Sequence, residues 1–215
     1  MIANRNDKNI LILFISIQTL ITQAFMIIMK SYSLGTGKDF ISFLTSLCLY
    51  IFLFIGPTVF YLKYIDKVNP LNYLKLDSNV LSGIRKAILI SGFIVLFFLL
   101  KNKTYSLRHI SFRADIFLIL GKMLVGPLEE IPFRGFYLQK FKESMGFLMA
   151  NLISSALFAS MHIIVMLGST TNLIYSFVYI MIIGLWMGYI FEKTKSLWCV
   201  SIIHSIYDLA IWLLF

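Results

Sequence analysis

The segment GPLEEIPFRGF, from Gly126 to Phe136, places two adjacent carboxylates and an arginine inside a largely apolar chain. Glu130 and Arg134 are four residues apart, so on a helix they share one face, whereas Glu129 points roughly 100° away from Glu130. One carboxylate can then be held by the arginine while the other acts on a substrate. Ionisable groups at membrane depth are costly and commonly mark functional sites. The simpler alternative is a structural clasp in which Glu130 and Arg134 lock helices together.

Two later segments carry histidines at helical spacing from a second side chain. Phe158 and His162 are four residues apart in FASMH, and His204 and Asp208 are four residues apart in HSIYD. A lone histidine in a membrane helix is more commonly a hydrogen-bonded packing residue than a catalytic one. Two histidines, each one helical turn from a partner, favour a chemical role.

The depths of these side chains can be compared from the sequence. The connection between the fourth and fifth predicted helices centres on residues 144–146, and Glu129 lies about as far before it as His162 lies after it. Because both helices rise 1.5 Å per residue, the two side chains meet at a similar depth. His204 and Asp208 lie about halfway along the last helix. We therefore expect four polar groups to converge near the middle of the membrane.

Pro132, between the glutamates and the arginine, has no N–H to donate to the carbonyl of Leu128. We expect the helix to open or kink there. Neighbouring helices or a water-filled cavity must satisfy the freed carbonyl. His109, the third histidine, lies in a basic loop and carries no predicted role.

The composition indicates a polytopic membrane protein. Of 215 residues, 59% are hydrophobic and 13% charged, and the mean hydropathy is +0.86. A soluble domain carries roughly 25% charged residues. The predicted fold class is an all-α membrane helix bundle with about seven transmembrane helices. The predicted spans are 9–29, 40–62, 84–100, 113–141, 146–167, 172–191 and 196–215. The first apolar run is too long for a signal-peptide core and is interpreted as a retained helix.

The net charge of +9 does not indicate nucleic-acid binding, because the basic residues lie in short loops beside apolar segments. Their distribution favours a cytoplasmic N-terminus and an outside C-terminus, although the basic connection after the third helix runs against this bias. Cys48 and Cys199 both fall in apolar segments and are interpreted as small buried hydrophobic residues. The chain divides into supporting helices, residues 1–112, and a catalytic core, residues 113–215. We found no internal repeat.

The order EExxxR, FxxxH, HxxxN/D on three polar-bearing helices resembles the CPBP family of intramembrane proteases. These are the CAAX-protease and bacteriocin-processing proteins, also called the Abi family, and they include the type II CAAX prenyl endopeptidases. The resemblance covers roughly residues 113–215, with all three motifs in order.

This resemblance implies a role for each motif residue. Glu129 would activate water, and His162 would help to hold and polarise it. Glu130 and Arg134 would be the supporting pair, with Phe158 belonging to the second motif. His204 and Asp208 would match the motif that stabilises the oxyanion.

Asp208 departs from the asparagine that the family often has at this position. An amide can donate to a developing oxyanion, whereas an ionised carboxylate would repel it. Asp208 must therefore be protonated, orient His204 or help to bind a metal. A zinc site formed by Glu129, His162 and His204 is one possibility. The favoured mechanism requires no cofactor and uses a buried glutamate as the general base.

The resulting interpretation is an intramembrane endopeptidase that hydrolyses a membrane-associated peptide or protein in the lipid bilayer. We expect a bacterial cell membrane and a role in peptide maturation or bacteriocin self-immunity. The alternative is a non-enzymatic immunity factor or a transporter, although a transporter would commonly show inverted repeats.

Overall fold

The structure is a computed structural model that describes residues 5–31, 39–101, 112–166 and 172–214. The described residues form helices and short connections, with no strand among them. The α-helices are α1 Arg5–Ser31, α2 Phe40–Tyr50, α3 Gly56–Phe60, α4 Pro70–Tyr73, α5 Val80–Lys101, α6 Phe112–Glu130, α7 Gln139–Met166, α8 Leu173–Thr194 and α9 Leu197–Leu214. Three π-helical segments interrupt this series, namely π1 Ile51–Ile55, π2 Tyr61–Ile65 and π3 Ile131–Leu138.

Several of these helices are long and apolar enough to cross a membrane. Four such stretches occur in the described residues, at Phe40–Ile65, Val80–Lys101, Ile116–Ile163 and Leu173–Thr194. Asn9–Ala24 and Leu197–Leu213 are shorter apolar helices. The predicted all-α membrane bundle is confirmed, and each predicted span corresponds to an observed helix. His109 and the predicted end residues Leu167 and Phe215 lie outside the described residues.

The 48-residue stretch Ile116–Ile163 is divided by a break at Gly146. Gly146 has φ of 76° and ψ of 170°, in the region that favours glycine over residues with a side chain. The break lies in the turn that the sequence predicts at residues 144–146. After it, α7 packs against π3 and α8, which brings the second motif beside the first.

The predicted opening at Pro132 takes the form of the eight-residue π3. Side chains satisfy two of its carbonyl groups. The hydroxyl of Ser154 donates to the carbonyl of Phe133 over 2.8 Å, and Nε2 of Gln139 donates to the carbonyl of Gly135 over 2.6 Å. The irregular backbone is therefore held by protein groups, as membrane depth requires.

Close backbone approach fixes the position of α9 against α6. A Cβ atom on Gly126 would collide with the backbone oxygen of Ser201 and with Oγ of Ser205. The hydroxyl of Ser205 also donates to the carbonyl of Met123 over 2.7 Å. Only a residue without a side chain fits at position 126, and this contact brings the third motif to the first.

The prediction that both cysteines are buried is correct for Cys199 and wrong for Cys48. Cys48 lies on α2, on a face that no neighbouring described helix covers. Apolarity of a membrane segment does not separate its packed face from its lipid-facing side, which explains the error.

Candidate active site

Glu130 and Arg134 form a buried ion pair, as their spacing predicts. Their side chains are 0% and 1% exposed, and Nη1 of Arg134 lies 3.1 Å from Oε1 of Glu130. Nη2 of Arg134 donates to the carbonyl of Gly184 on α8 over 3.2 Å. The guanidinium group lies over the Phe158 ring, 4.3 Å from its centroid. The pair thus joins α6, π3, α7 and α8.

His204 is oriented by the same carboxylate. Its Nδ1 lies 2.8 Å from Oε1 of Glu130. Because an ionised carboxylate can only accept a hydrogen bond, the hydrogen of this bond is on Nδ1. The Phe158 ring and the imidazole pack in a T-shaped arrangement, with ring centroids 5.8 Å apart. Nε2 of His204 is consequently directed towards Glu129 and Asp208.

The two carboxylate oxygens of Glu129 have different environments. Oε1 accepts a hydrogen bond from the hydroxyl of Tyr50 over 3.0 Å. Oε2 is buried and has no hydrogen-bond partner among the described residues. It lies 3.9 Å from Nε2 of His162 and 3.9 Å from Nε2 of His204. One oxygen is therefore held by the protein, while the other faces two imidazole nitrogens.

His162 contributes an imidazole of fixed orientation. Its Nδ1 lies 3.0 Å from the carbonyl oxygen of Phe158, which can only accept, so the hydrogen of this bond is on Nδ1. The Phe158 ring packs on the imidazole at a centroid distance of 4.7 Å. In the neutral ring, Nε2 is then an acceptor directed towards Glu129. A water molecule between the two atoms can donate one hydrogen to each.

Asp208 lies between His204 and a cation that the sequence interpretation did not include. Its Oδ1 is 3.9 Å from Nε2 of His204, and its Oδ2 is 3.6 Å from Nζ of Lys122 on α6. The spacing could have identified Lys122, because it precedes Glu129 by seven residues, or about two helical turns.

Tyr50 is the second residue that the sequence interpretation missed. It ends α2, in the part assigned a supporting role, and reaches Glu129 across 79 positions of sequence. An aromatic residue within an apolar segment is a common packing or interface feature, so the sequence held no signal that distinguishes it.

The donor types at Glu129, His162 and His204 would suit zinc, but their spacing is wide. A tetrahedral zinc ion with bonds of about 2.0–2.1 Å separates two ligand atoms by roughly 3.4 Å. A water molecule with two hydrogen bonds of about 2.8 Å separates its partners by roughly 4–4.6 Å. Both measured Nε2–Oε2 distances are 3.9 Å, which is closer to the water geometry. Within the described ranges, no group of three His, Cys, Asp or Glu side chains is placed to hold a metal ion.

A separate cavity of about 860 Å³ shares no residue with this site. It is lined by Tyr73, Lys75, Ser78, Asn79, Leu138, Gln139, Lys142, Glu143, Phe191, Glu192 and Lys195. At its edge, burial and a hydrogen bond to Glu143 raise the pKa of Tyr73 above its ordinary value. This cavity lies at the C-terminal end of π3, whereas Glu129 and Glu130 directly precede its N-terminal end.

The three motifs thus supply one cluster, and comparison with known proteins finds one family model that matches this part of the chain. Residues 112–210 match the family model described as type II CAAX prenyl endopeptidase Rce1-like. No curated protein and no solved structure matches the chain. The match supports a CAAX-type intramembrane protease at the level of the family. It agrees with the resemblance carried by the three motifs and covers all of their residues. Residues 112–210 of this chain are therefore similar to the type II CAAX prenyl endopeptidase Rce1-like family.

Proposed function

We propose that this protein is an intramembrane endopeptidase in which Glu129 activates a water molecule for attack on a peptide bond. One observation carries the proposal. The free oxygen of Glu129, Oε2, is buried and faces Nε2 of both His162 and His204 at 3.9 Å. Oε2 of Glu130 is also buried without a hydrogen-bond partner in the described part of the chain, so what distinguishes Glu129 is that two imidazole nitrogens face its free oxygen.

In this mechanism, the water donates one hydrogen to Oε2 of Glu129 and the other to Nε2 of His162. Its oxygen attacks the peptide carbonyl carbon while its proton moves to Glu129. The resulting tetrahedral oxyanion accepts a hydrogen bond from Nε2 of His204 in its imidazolium form. The C–N bond then breaks, and Glu129 passes the proton to the leaving amine.

The surrounding residues keep these groups in place. Tyr50 holds Oε1 of Glu129, which leaves Oε2 for the water. Glu130 holds Nδ1 of His204 and is itself held by Arg134. Fixing donors and acceptors before the reaction removes the cost of reorganising them during it.

The proposed reaction needs no metal. Support comes from the wide separation of the candidate ligand atoms, which suits a hydrogen-bonded water better than a tetrahedral zinc ion. If zinc were bound, Glu129, His162 and His204 would hold it, and it would lower the pKa of the bound water. Cleavage by Asp208→Asn with and without chelator distinguishes these mechanisms.

The substrate we propose is a peptide or protein associated with the lipid bilayer. Glu129 and His162 lie in a stretch long and apolar enough to span a membrane, and His204 lies on a shorter apolar helix packed against it, so the scissile bond must enter from the bilayer or its edge. We propose a bacterial cell-membrane location with a cytoplasmic N-terminus, and a role in peptide maturation or bacteriocin self-immunity. Nucleic acid is not among the proposed partners.

The deciding experiment is comparative peptidomics of cells that carry the wild-type protein or Glu129→Gln. We expect one or a few membrane-associated peptides to be shortened only by the wild type. Glu143→Gln is the matched control, because Glu143 is an exposed carboxylate outside the site. That variant should cleave like the wild type. Purified protein in vesicles should then cleave the same peptide at the same bond.

A non-enzymatic immunity factor would give another result. Cells with the wild type and with Glu129→Gln would be equally protected from a bacteriocin and would have identical peptidomes. That outcome would replace the protease proposal with a binding role.

A further inference from the structure

Lys122 is a basic residue beside the site to which the three motifs assign nothing. It lies on α6 within the apolar stretch Ile116–Ile163, where a charged side chain is costly. Lysines in membrane helices commonly extend towards the interface. Here the ammonium instead lies 3.6 Å from Oδ2 of Asp208, beside the site.

The carboxylate of Asp208 lies where a negative charge would be unfavourable for the proposed reaction. Its Oδ1 lies 3.9 Å from Nε2 of His204, the atom that faces the proposed oxyanion. A second negative charge there would oppose the charge that develops on the substrate oxygen, and low polarity at membrane depth strengthens that repulsion. A carboxylate in this position therefore requires compensation that an amide would not.

We propose that Lys122 is a positioning residue that cancels the charge of Asp208 during the reaction. Asp208 in turn keeps the ammonium at the site. The two side chains act as one neutral unit beside His204. An asparagine at position 208 would be neutral without a cation. This inference rests on the proposed function.

The test uses three purified variants and one control variant, each reconstituted in vesicles with the peptide identified by peptidomics. Lys122→Met removes the charge at similar length, and we expect kcat to fall about tenfold or more with little change in KM. Lys122→Arg, which keeps the charge, should retain most activity. Adding Asp208→Asn to Lys122→Met should restore kcat to within about threefold of the wild type, because it removes the uncompensated carboxylate.

Lys142 provides a matched control. Its side chain is 38% exposed, like that of Lys122, and it pairs with Glu192 at 2.6 Å at the other end of the bundle. Lys142→Met should leave kcat unchanged. Thermal unfolding of every variant distinguishes a chemical effect from loss of folded protein.

The outcomes separate this inference from the proposed function. An unchanged kcat in Lys122→Met, or a loss that Asp208→Asn does not relieve, overturns the inference while Glu129-dependent cleavage still stands. A loss of stability that Asp208→Asn reverses without any change in kcat makes the pair a structural contact and also overturns it. Absence of any cleavage that depends on Glu129 overturns the proposed function, and the inference with it.

Discussion

The hydroxyl of Tyr50 donates a hydrogen bond to Oε1 of Glu129 over 3.0 Å, from outside the family match, which begins at residue 112. The contact fixes which oxygen of Glu129 faces the two histidines. A residue of the first part of the chain thereby takes part in positioning the proposed general base.

Tyr50→Phe removes this hydrogen bond and little else. A hydrogen bond to a charged group contributes about 1.5–3 kcal/mol, which corresponds to a loss of roughly 10- to 100-fold in kcat/KM. Kinetics on the vesicle-bound enzyme measure the change. Tyr179→Phe is the control, because its hydroxyl contacts Tyr207 on another face. Similar losses in both variants would show that the Tyr50 effect is a general one.

The two adjacent glutamates should respond differently to substitution. Glu129→Gln should abolish cleavage with little change in thermal stability, because Oε2 accepts no hydrogen bond from the described residues and the glutamine oxygen can still accept the one from Tyr50. Glu130→Gln or Arg134→Ala breaks a buried pair and should lower the free energy of unfolding by about 3–5 kcal/mol. Thermal unfolding and cleavage are measured on each. Equal destabilisation by all three changes would identify the segment as a structural clasp.

Asp208→Asn distinguishes the metal-free mechanism from the zinc mechanism. The amide removes a negative charge beside His204 and can donate to the oxyanion, so we expect substantial cleavage that strong chelators do not reduce. Cleavage is assayed with and without chelator and with added zinc. Activity lost in the variant and recovered with zinc would contradict the metal-free mechanism.

Gly126→Ala tests the close approach of α6 and α9. The new Cβ would meet the backbone of Ser201, so we expect a loss of about 1–3 kcal/mol of stability and a fall in cleavage as His204 moves from Glu129. Gly121→Ala, on the same helix, places its Cβ in open space and is the control. A neutral effect of Gly126→Ala would mean that the α6–α9 spacing is not critical.

Helical spacing made much of the fold and the motif pairs predictable. Glu130 and Arg134 share a face because they are one turn apart, and a glycine-containing turn brings His162 back to the depth of Glu129. The hydrogen-bond partner of His204 was harder to predict from the sequence. Spacing suggested Asp208, whereas the close contact of Nδ1 is with Glu130 on another helix.

The residues missed were those placed by tertiary packing. Tyr50 reaches the site because α2 lies beside α6, and no local pattern encodes that contact. Lys122 shared a helix face with Glu129 but had no partner visible in its own segment. Its pairing with Asp208 depends on the approach that Gly126 allows.

The π-helical segment Ile131–Leu138 has a consequence for length variation among related sequences. A π-helical turn contains one residue more than an α-helical turn, so deletion of one residue can convert it to a regular α-helix. A one-residue deletion after Arg134 would leave its spacing from Glu130 intact, and the helix beyond Gln139 could keep its packed face. A deletion before Arg134 would instead separate the pair. Alignment gaps in this stretch should therefore fall between residues 135 and 138.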